Sequence, residues 1–124
     1  SGAGDVNGDR FNDLIVGAPF VDIGAGTDSG AYVVFSGQSG SLLYGFSLSL
    51  DPYQISQIGY SVSGAGDVDG DGFADFIVGA PFSDTTGTDS GFVAVISGHS
   101  GFPIYGLSVT SDTYQISHFG YSVR

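Results

Sequence analysis

Cysteine, glutamate and lysine are all absent from this chain of 124 residues. Without cysteine there is no disulfide framework and no thiolate metal site, which removes zinc ribbons and dithiol redox motifs. The same absence does not assign a cytosolic home, because calcium can brace an extracellular fold in place of disulfides. Without lysine, positive charge is confined to Arg10 and Arg124, set against 13 aspartates for a formal net charge of −11. Such a chain has almost nothing with which to neutralise phosphates, so nucleic acid is excluded as a partner, and attraction to anionic membranes is excluded on the same ground. No apolar run approaches the roughly 20 residues that span a bilayer, so membrane insertion is not expected. The chain begins at Ser1 and shows no signal peptide, and it reads as a processed or excised product whose address label is gone. Helical periodicity is missing throughout.

Every acidic residue is aspartate. Aspartate serves turns, caps and oxygen ligation and suits helix or strand interiors poorly. A chain that uses aspartate to the exclusion of glutamate therefore places its acids in loops, and their excess favours bound cations. The 22 glycines, with Phe, Tyr, Val, Ile, Ser and Thr, make a composition of strands and turns.

The order of residues is that of an internal repeat. Ser1-Gly2-Ala3-Gly4-Asp5-Val6 returns as Ser63-Gly64-Ala65-Gly66-Asp67-Val68, and Gly17-Ala18-Pro19-Phe20 returns as Gly79-Ala80-Pro81-Phe82, both at an offset of 62. Thr27-Asp28-Ser29-Gly30 and Tyr53-Gln54-Ile55-Ser56 return 61 residues later, so one residue is lost from the loop near Ile23 to Gly26. The two repeats are 1–62 and 63–124.

Each repeat reads as four short strands. Asp13 to Ala18 and Asp75 to Ala80 are apolar runs closed by Pro19 and Pro81, a pattern that suits a strand covered on both faces. Ala31 to Ser36 and Phe92 to Ser97 form a second strand. The turns Gly37-Gln38-Ser39-Gly40 and Gly98-His99-Ser100-Gly101 follow, and Leu43 to Ser49 and Ile104 to Thr110 return as a third strand. Gly59 to Gly66 reads as a fourth strand running through the junction; at the chain ends it is split between Gly120 to Arg124 and Ser1 to Gly4. Four strands per repeat matches a propeller blade. Two blades do not close a ring, so the expected partners are further copies joined head to tail, with an even blade count, or neighbouring blades of a longer chain.

The chemistry lies in two matched nonapeptides that begin at Asp5 and Asp67. Oxygen-bearing side chains fall at loop positions 1, 3, 5 and 9: Asp5, Asn7, Asp9 and Asp13 in the first, Asp67, Asp69, Asp71 and Asp75 in the second. Calcium takes six to eight oxygens, and alternate oxygen side chains can curl around such an ion. Phe11 and Phe73, at position 7, would add backbone carbonyls, and Gly8, Gly70 and Gly72 permit the tight turns. Seven of the 13 aspartates sit in these loops and would repel one another without a cation. The expected cofactor is thus one calcium per repeat, two per chain. An EF-hand needs flanking helices and glutamate at position 12, where this chain has Val16 and Val78 inside apolar runs, and magnesium seldom occupies all-protein cages.

These loops, with Ile58-Gly59, Phe119-Gly120 and the two Gly-Ala-Pro motifs, make the chain resemble the FG-GAP repeat of integrin α-subunit propellers and related bacterial and fungal proteins. The resemblance covers essentially the whole chain. It implies an all-β propeller fold with calcium in the hairpin loop between the first two strands of each blade. Asn7, where the second loop has Asp69, departs from the all-Asp pattern.

No catalytic residues are expected. His99 and His118 answer to Gln38 and Gln57 in the first repeat and read as polar surface positions; no Gly-x-Ser-x-Gly elbow and no dinucleotide fingerprint is present. Tyr44, Tyr60, Tyr105 and Tyr121, with Tyr53 and Tyr114, read as core or blade-interface residues. The expected function is a calcium-stabilised recognition or adhesion scaffold, extracellular or at the cell surface, with a protein partner. A multivalent carbohydrate-binding lectin with a glycan ligand is the alternative, and a purely structural or engineered repeat the third reading.

Overall fold

In the computed structural model, residues 1–22, 29–46, 57–83, 91–108 and 120–124 are described. They form eight strands: β1 (Gly2–Gly4), β2 (Asp13–Ala18), β3 (Ala31–Phe35), β4 (Leu42–Phe46), β5 (Ser61–Gly66), β6 (Asp75–Ala80), β7 (Phe92–Ile96) and β8 (Pro103–Leu107). They make two four-stranded antiparallel sheets, β1-β2-β3-β4 and β5-β6-β7-β8, each a β-propeller blade. No helix occurs among the described residues.

The β-branched and aromatic content of β2, β3, β6 and β7 suits central strands. Proline ends β2 and β6, and Pro103 stands as the first residue of the outermost β8, a tolerated place for a residue without an N–H. The turns joining the two outer strands are the same in both blades. Ser36 N–H donates to Ser41 O and Gly40 N–H to Ser36 O, both at 2.8 Å; Ser97 and Gly101 repeat the pattern with Phe102 and Ser97.

Gly59 to Gly66, expected as the fourth strand of the first repeat, pairs with β6 through Ser61–Gly66 and is the first strand of the second blade. Residues 62 and 63, where the repeats were divided, lie inside it. The third strands are β4 and β8; Ser47 to Ser49 and Val109 to Thr110, expected to extend them, are outside the described residues, as are Tyr53, Tyr114 and His118. Gly120 to Arg124 forms no strand here.

The core lies between the sheets. One buried cluster joins Ala3, Val6, Ile15, Tyr32, Val34 and Ile58 of the first half to Phe76, Val78, Ala80, Ala94 and Ile96 of the second. Phe76 packs edge-on to Tyr32 at 5.5 Å and stacked near Tyr44 at 6.1 Å. The Tyr44 hydroxyl crosses the interface to donate to Gly98 O at 3.1 Å, so the interface role expected for this tyrosine is the one it has. Burial raises the Tyr32 phenol to about 12. Toward the outer strands the sheets part around an apolar cleft of about 520 Å³ lined by Tyr32, Phe46, Phe92, Ala94 and Ile96 among others.

Both apolar runs were expected to be covered on two faces; the face that β6 buries is the one that β2 leaves open. Phe76 and Val78 are 0 % and 1 % exposed, whereas their repeat counterparts Leu14 and Val16 are 52 % and 47 % exposed. The reason is position, not composition: β6 has the first blade against it, and nothing described lies against the equivalent face of β2.

The two glycine motifs of a repeat meet each other. A Cβ on Gly17 would strike the Gly59 carbonyl, and one on Gly79 the Gly120 carbonyl, so Gly-Ala-Pro and Ile-Gly or Phe-Gly are two sides of one backbone-on-backbone contact.

The asymmetry between equivalent positions predicts unequal substitution costs. Phe76→Ala should lower unfolding free energy by about 3–5 kcal/mol, as for a fully buried aromatic. Leu14→Ala in dilute solution should cost well under about 1 kcal/mol. Urea denaturation of both variants checks this; equal losses would show that the Leu14 face is covered.

Candidate metal centre

Each loop runs from the end of one strand into the next, β1 to β2 and β5 to β6, and is organised by its first aspartate. Asp5 Oδ1 accepts from Gly8 N–H at 2.7 Å and Asp9 N–H at 3.0 Å, while Oδ2 accepts from Arg10 N–H at 2.8 Å. Asp67 does the same with Gly70 at 2.7 Å, Asp71 at 3.1 Å and Gly72 at 3.0 Å. Side chains accepting from the backbone two to five residues ahead wind the chain inward. The winding needs positive φ at loop positions 4 and 6: 80° at Gly8 and 73° at Arg10, 79° at Gly70 and 92° at Gly72. Arg10 is thus a non-glycine residue in a left-handed conformation, which its fellow loop fills with glycine.

Positions 3 and 5 continue the pattern. Asn7 Oδ1 accepts from Asp9 N–H at 3.0 Å, and Asp9 Oδ1 from Phe11 N–H at 2.8 Å. In the second loop Asp69 Oδ1 accepts from Asp71 N–H at 3.1 Å and Asp71 Oδ1 from Phe73 N–H at 2.9 Å. Carboxylate oxygens of Asp67, Asp69 and Asp71 lie within 4.8 Å of one another. Oxygens bound to one calcium at 2.3–2.6 Å are separated by at most about 5 Å, so this trio fits a shared ion. In the first loop the Asn7 amide nitrogen donates to Asp9 Oδ2 at 3.1 Å.

Position 9 is set differently. Asp13 and Asp75 are fully buried. Asp13 Oδ2 accepts from Val6 N–H at 2.9 Å and Oδ1 from Gly37 N–H at 3.0 Å; Asp75 Oδ2 accepts from Val68 N–H at 2.6 Å and Oδ1 from Gly98 N–H at 3.0 Å. Each carboxylate therefore ties the start of its own loop to the turn between the two outer strands. Each oxygen keeps a further lone pair. Gly37 and Gly98 are required for this approach, since a Cβ on either would strike the carbonyl of Asn12 or Ala74. Sequence reading found these glycines as turns but not as partners of the loop acids, because nothing in local spacing joins residues 23 or 24 apart.

The two loops also touch. Ala74 N–H donates to Asp5 O at 2.8 Å. The Phe73 ring stacks on His99 at 4.3 Å, and a Cβ on Gly8 would contact it at 2.8 Å. His99 is exposed, as a polar surface position should be. Phe11, the counterpart of Phe73, is half exposed.

A model of the FG-GAP repeat matches residues 1–35 and 58–96, together more than half of the chain. The chain belongs to the FG-GAP repeat family. Similar proteins include integrin alpha-PS5 of Drosophila melanogaster, 41 % identical over 88 residues, and integrin alpha-5 of Xenopus laevis, also 41 % identical over 88 residues. Those alignments cover 65 % and 67 % of this chain and 8 % of each integrin subunit. Integrin alpha-E of Mus musculus is 37 % identical over 83 residues, 62 % of this chain and 7 % of that protein. The FG-GAP chain thus spans less than a tenth of the length of the curated relatives it matches.

The FG-GAP loops carry unequal charge. Asp69 is held above its ordinary value of 3.8, first by loss of surrounding water and then by the charges of Asp71, Asp75 and Asp67, against a lowering hydrogen bond from the Asp71 backbone. A carboxyl harder to ionise folded than unfolded opposes folding once ionised. That opposition is fully present above the folded value and disappears below 3.8. In chelator at pH 7, Asp69→Asn, which copies Asn7, should therefore raise Tm, and the gain should vanish at pH 3. A gain unchanged at pH 3 would mean that charge is not its source.

Proposed function

We propose that this FG-GAP chain is a calcium-stabilised part of an extracellular or cell-surface recognition propeller, non-catalytic, with one structural calcium per repeat and two per chain. In this reading Asp5, Asn7, Asp9 and Asp13 with the Phe11 carbonyl hold one ion, and Asp67, Asp69, Asp71 and Asp75 with the Phe73 carbonyl hold the other. The observation that carries it is the convergence of Asp67, Asp69 and Asp71 oxygens within 4.8 Å on loops already wound by their own backbone. Three carboxylates that close repel one another and cost stability unless a cation offsets them. Hard oxygen donors with no sulfur or imidazole among them suit calcium over transition metals.

The ion's role is mechanical. By neutralising the loop it pins the connection between the first two strands of a blade, and through Asp13 and Asp75 that connection is tied to the outer turn. The similarity to integrin alpha subunits supports adhesion-type recognition, in which a rigid blade array presents loops to an extracellular protein.

Calcium at 100 times its Kd should add about 2.7 kcal/mol per occupied site, seen as a Tm several degrees above that in chelator. Calorimetric titration should give two sites per chain, and Asp71→Ala should remove one and leave the other. No binding at millimolar calcium, with an unchanged melt in chelator, would overturn the proposal.

A further inference from the structure

The cleft between the outer strands has a buried floor and an exposed rim. Tyr32, Ile58, Ala94 and Ile96 form the floor, none more than 3 % exposed, while Phe46 and Phe102 stand at the rim, 44 % and 73 % exposed. The Tyr32 and Phe46 rings are tilted by 38° with centroids 6.1 Å apart, so they wall the space without closing it. Protein interiors hold few voids larger than a water molecule. An apolar space of about 520 Å³ is instead of the size that takes a small molecule.

One polar group in the floor lacks a partner. Tyr32 is 1 % exposed, and its hydroxyl makes no hydrogen bond with a described residue; burial alone raises the phenol. Tyr44, in the same wall, is satisfied by Gly98 O at 3.1 Å. The Tyr32 hydroxyl is nevertheless not sealed off, since Gln57 Oε1 is the one fully enclosed side-chain polar atom without a partner among the described residues. The small part of Tyr32 that stays reachable is therefore its oxygen, and the cleft is where it is reached. Buried phenols usually find a hydrogen-bond partner, because one left unpaired forfeits the bond it made to water. Charge narrows the choice of occupant. No aspartate and neither arginine lines the cleft. An anion would meet a chain of net charge −11 with no cation beside it. A cation would lose its water against apolar walls with no carboxylate to pair with.

From this we infer that the cleft is a binding site for a neutral, flat aromatic molecule of one or two rings that carries one hydrogen-bond-accepting oxygen. Its rings lie against Phe46, Phe92 and Phe102, where offset and edge-on aromatic pairs add to the gain from burial. Its oxygen accepts from the Tyr32 hydroxyl at the floor. With its phenol pushed up to about 12, Tyr32 remains a donor throughout the physiological range. Ala94 leaves the room: it is the smallest side chain of the floor, between Tyr32 and Ile96 on facing blades. The acids of the two loops take no part in this site, so it is independent of the ions proposed for them.

The test is fluorescence titration of the 124-residue chain, in millimolar calcium, with three probes: 2-acetylnaphthalene, naphthalene and 2-naphthoate. The ketone should saturate one site per chain with Kd at or below about 100 µM, and the carboxylate should bind at least about tenfold more weakly. Tyr32→Phe should weaken the ketone about three- to tenfold and leave naphthalene, which has no oxygen, unchanged. Its Tm should not fall, because the hydroxyl has no partner to lose. Ala94→Leu fills the floor and should abolish binding; Phe102→Ala, at the exposed rim, takes its place should that variant fold poorly by circular dichroism, and should weaken the ketone severalfold. No saturable binding to the wild type would overturn the inference. So would a ketone affinity untouched by Tyr32→Phe or by the cleft variants, or 2-naphthoate bound as tightly as the ketone. Self-association of the wild type that the ketone does not reverse and Ala94→Leu abolishes would place a second copy in the cleft and overturn it too.

Discussion

A twisted four-stranded sheet has two faces, and those of this chain are apolar on both. Burying one of them requires another sheet laid across it, and the buried cluster among the described residues is made in that way, from both blades. Blade-on-blade packing is therefore the condition for everything else. It brings Phe76 against Tyr32 and Tyr44, aligns the Tyr44 hydroxyl with Gly98 O, and sets the second loop beside the first. A single repeat cannot bury its apolar face alone, so the core is a property of the stack.

The acidic loops depend on that stack through two kinds of anchor. Within a blade, the buried carboxylates of Asp13 and Asp75 tie loop to outer turn by paired backbone hydrogen bonds. Charge-assisted bonds of this kind are stronger than neutral ones. Between blades, Ala74 N–H holds the Asp5 carbonyl and the Phe73 ring covers Gly8. The loop carboxylates are thereby held in place by contacts from outside the loops as well as within them.

Much of this was legible in the residue order. The repeat at 62 and 61, the positions of the strands, the turns at Gly37 and Gly98 and the alternating oxygens of the loops are local patterns, and local patterns follow from spacing, β-propensity and turn chemistry. Asp67, Asp69 and Asp71 carry oxygens within 4.8 Å of one another. Less legible was the place of Ser61–Gly66. Its sequence is contiguous with the first repeat, but its hydrogen bonds go to β6, and ladder choice is a long-range matter.

The residue order alone specifies two matched repeats, with the same loop spacing and the same succession of strands and apolar runs. It does not say which copy of a shared residue is buried. Three-dimensional packing does so: Val6 and Val68 are one residue type in one local sequence, and so are Val16 and Val78, yet one of each pair is buried and the other exposed. Packing likewise pairs the carboxylates of Asp13 and Asp75 with N–H groups across the blade and brings Gly17 against Gly59. Burial is the removal of solvent by whatever lies alongside, and the neighbour of a strand face in a stacked-sheet protein comes from another blade, at a separation no local pattern can encode.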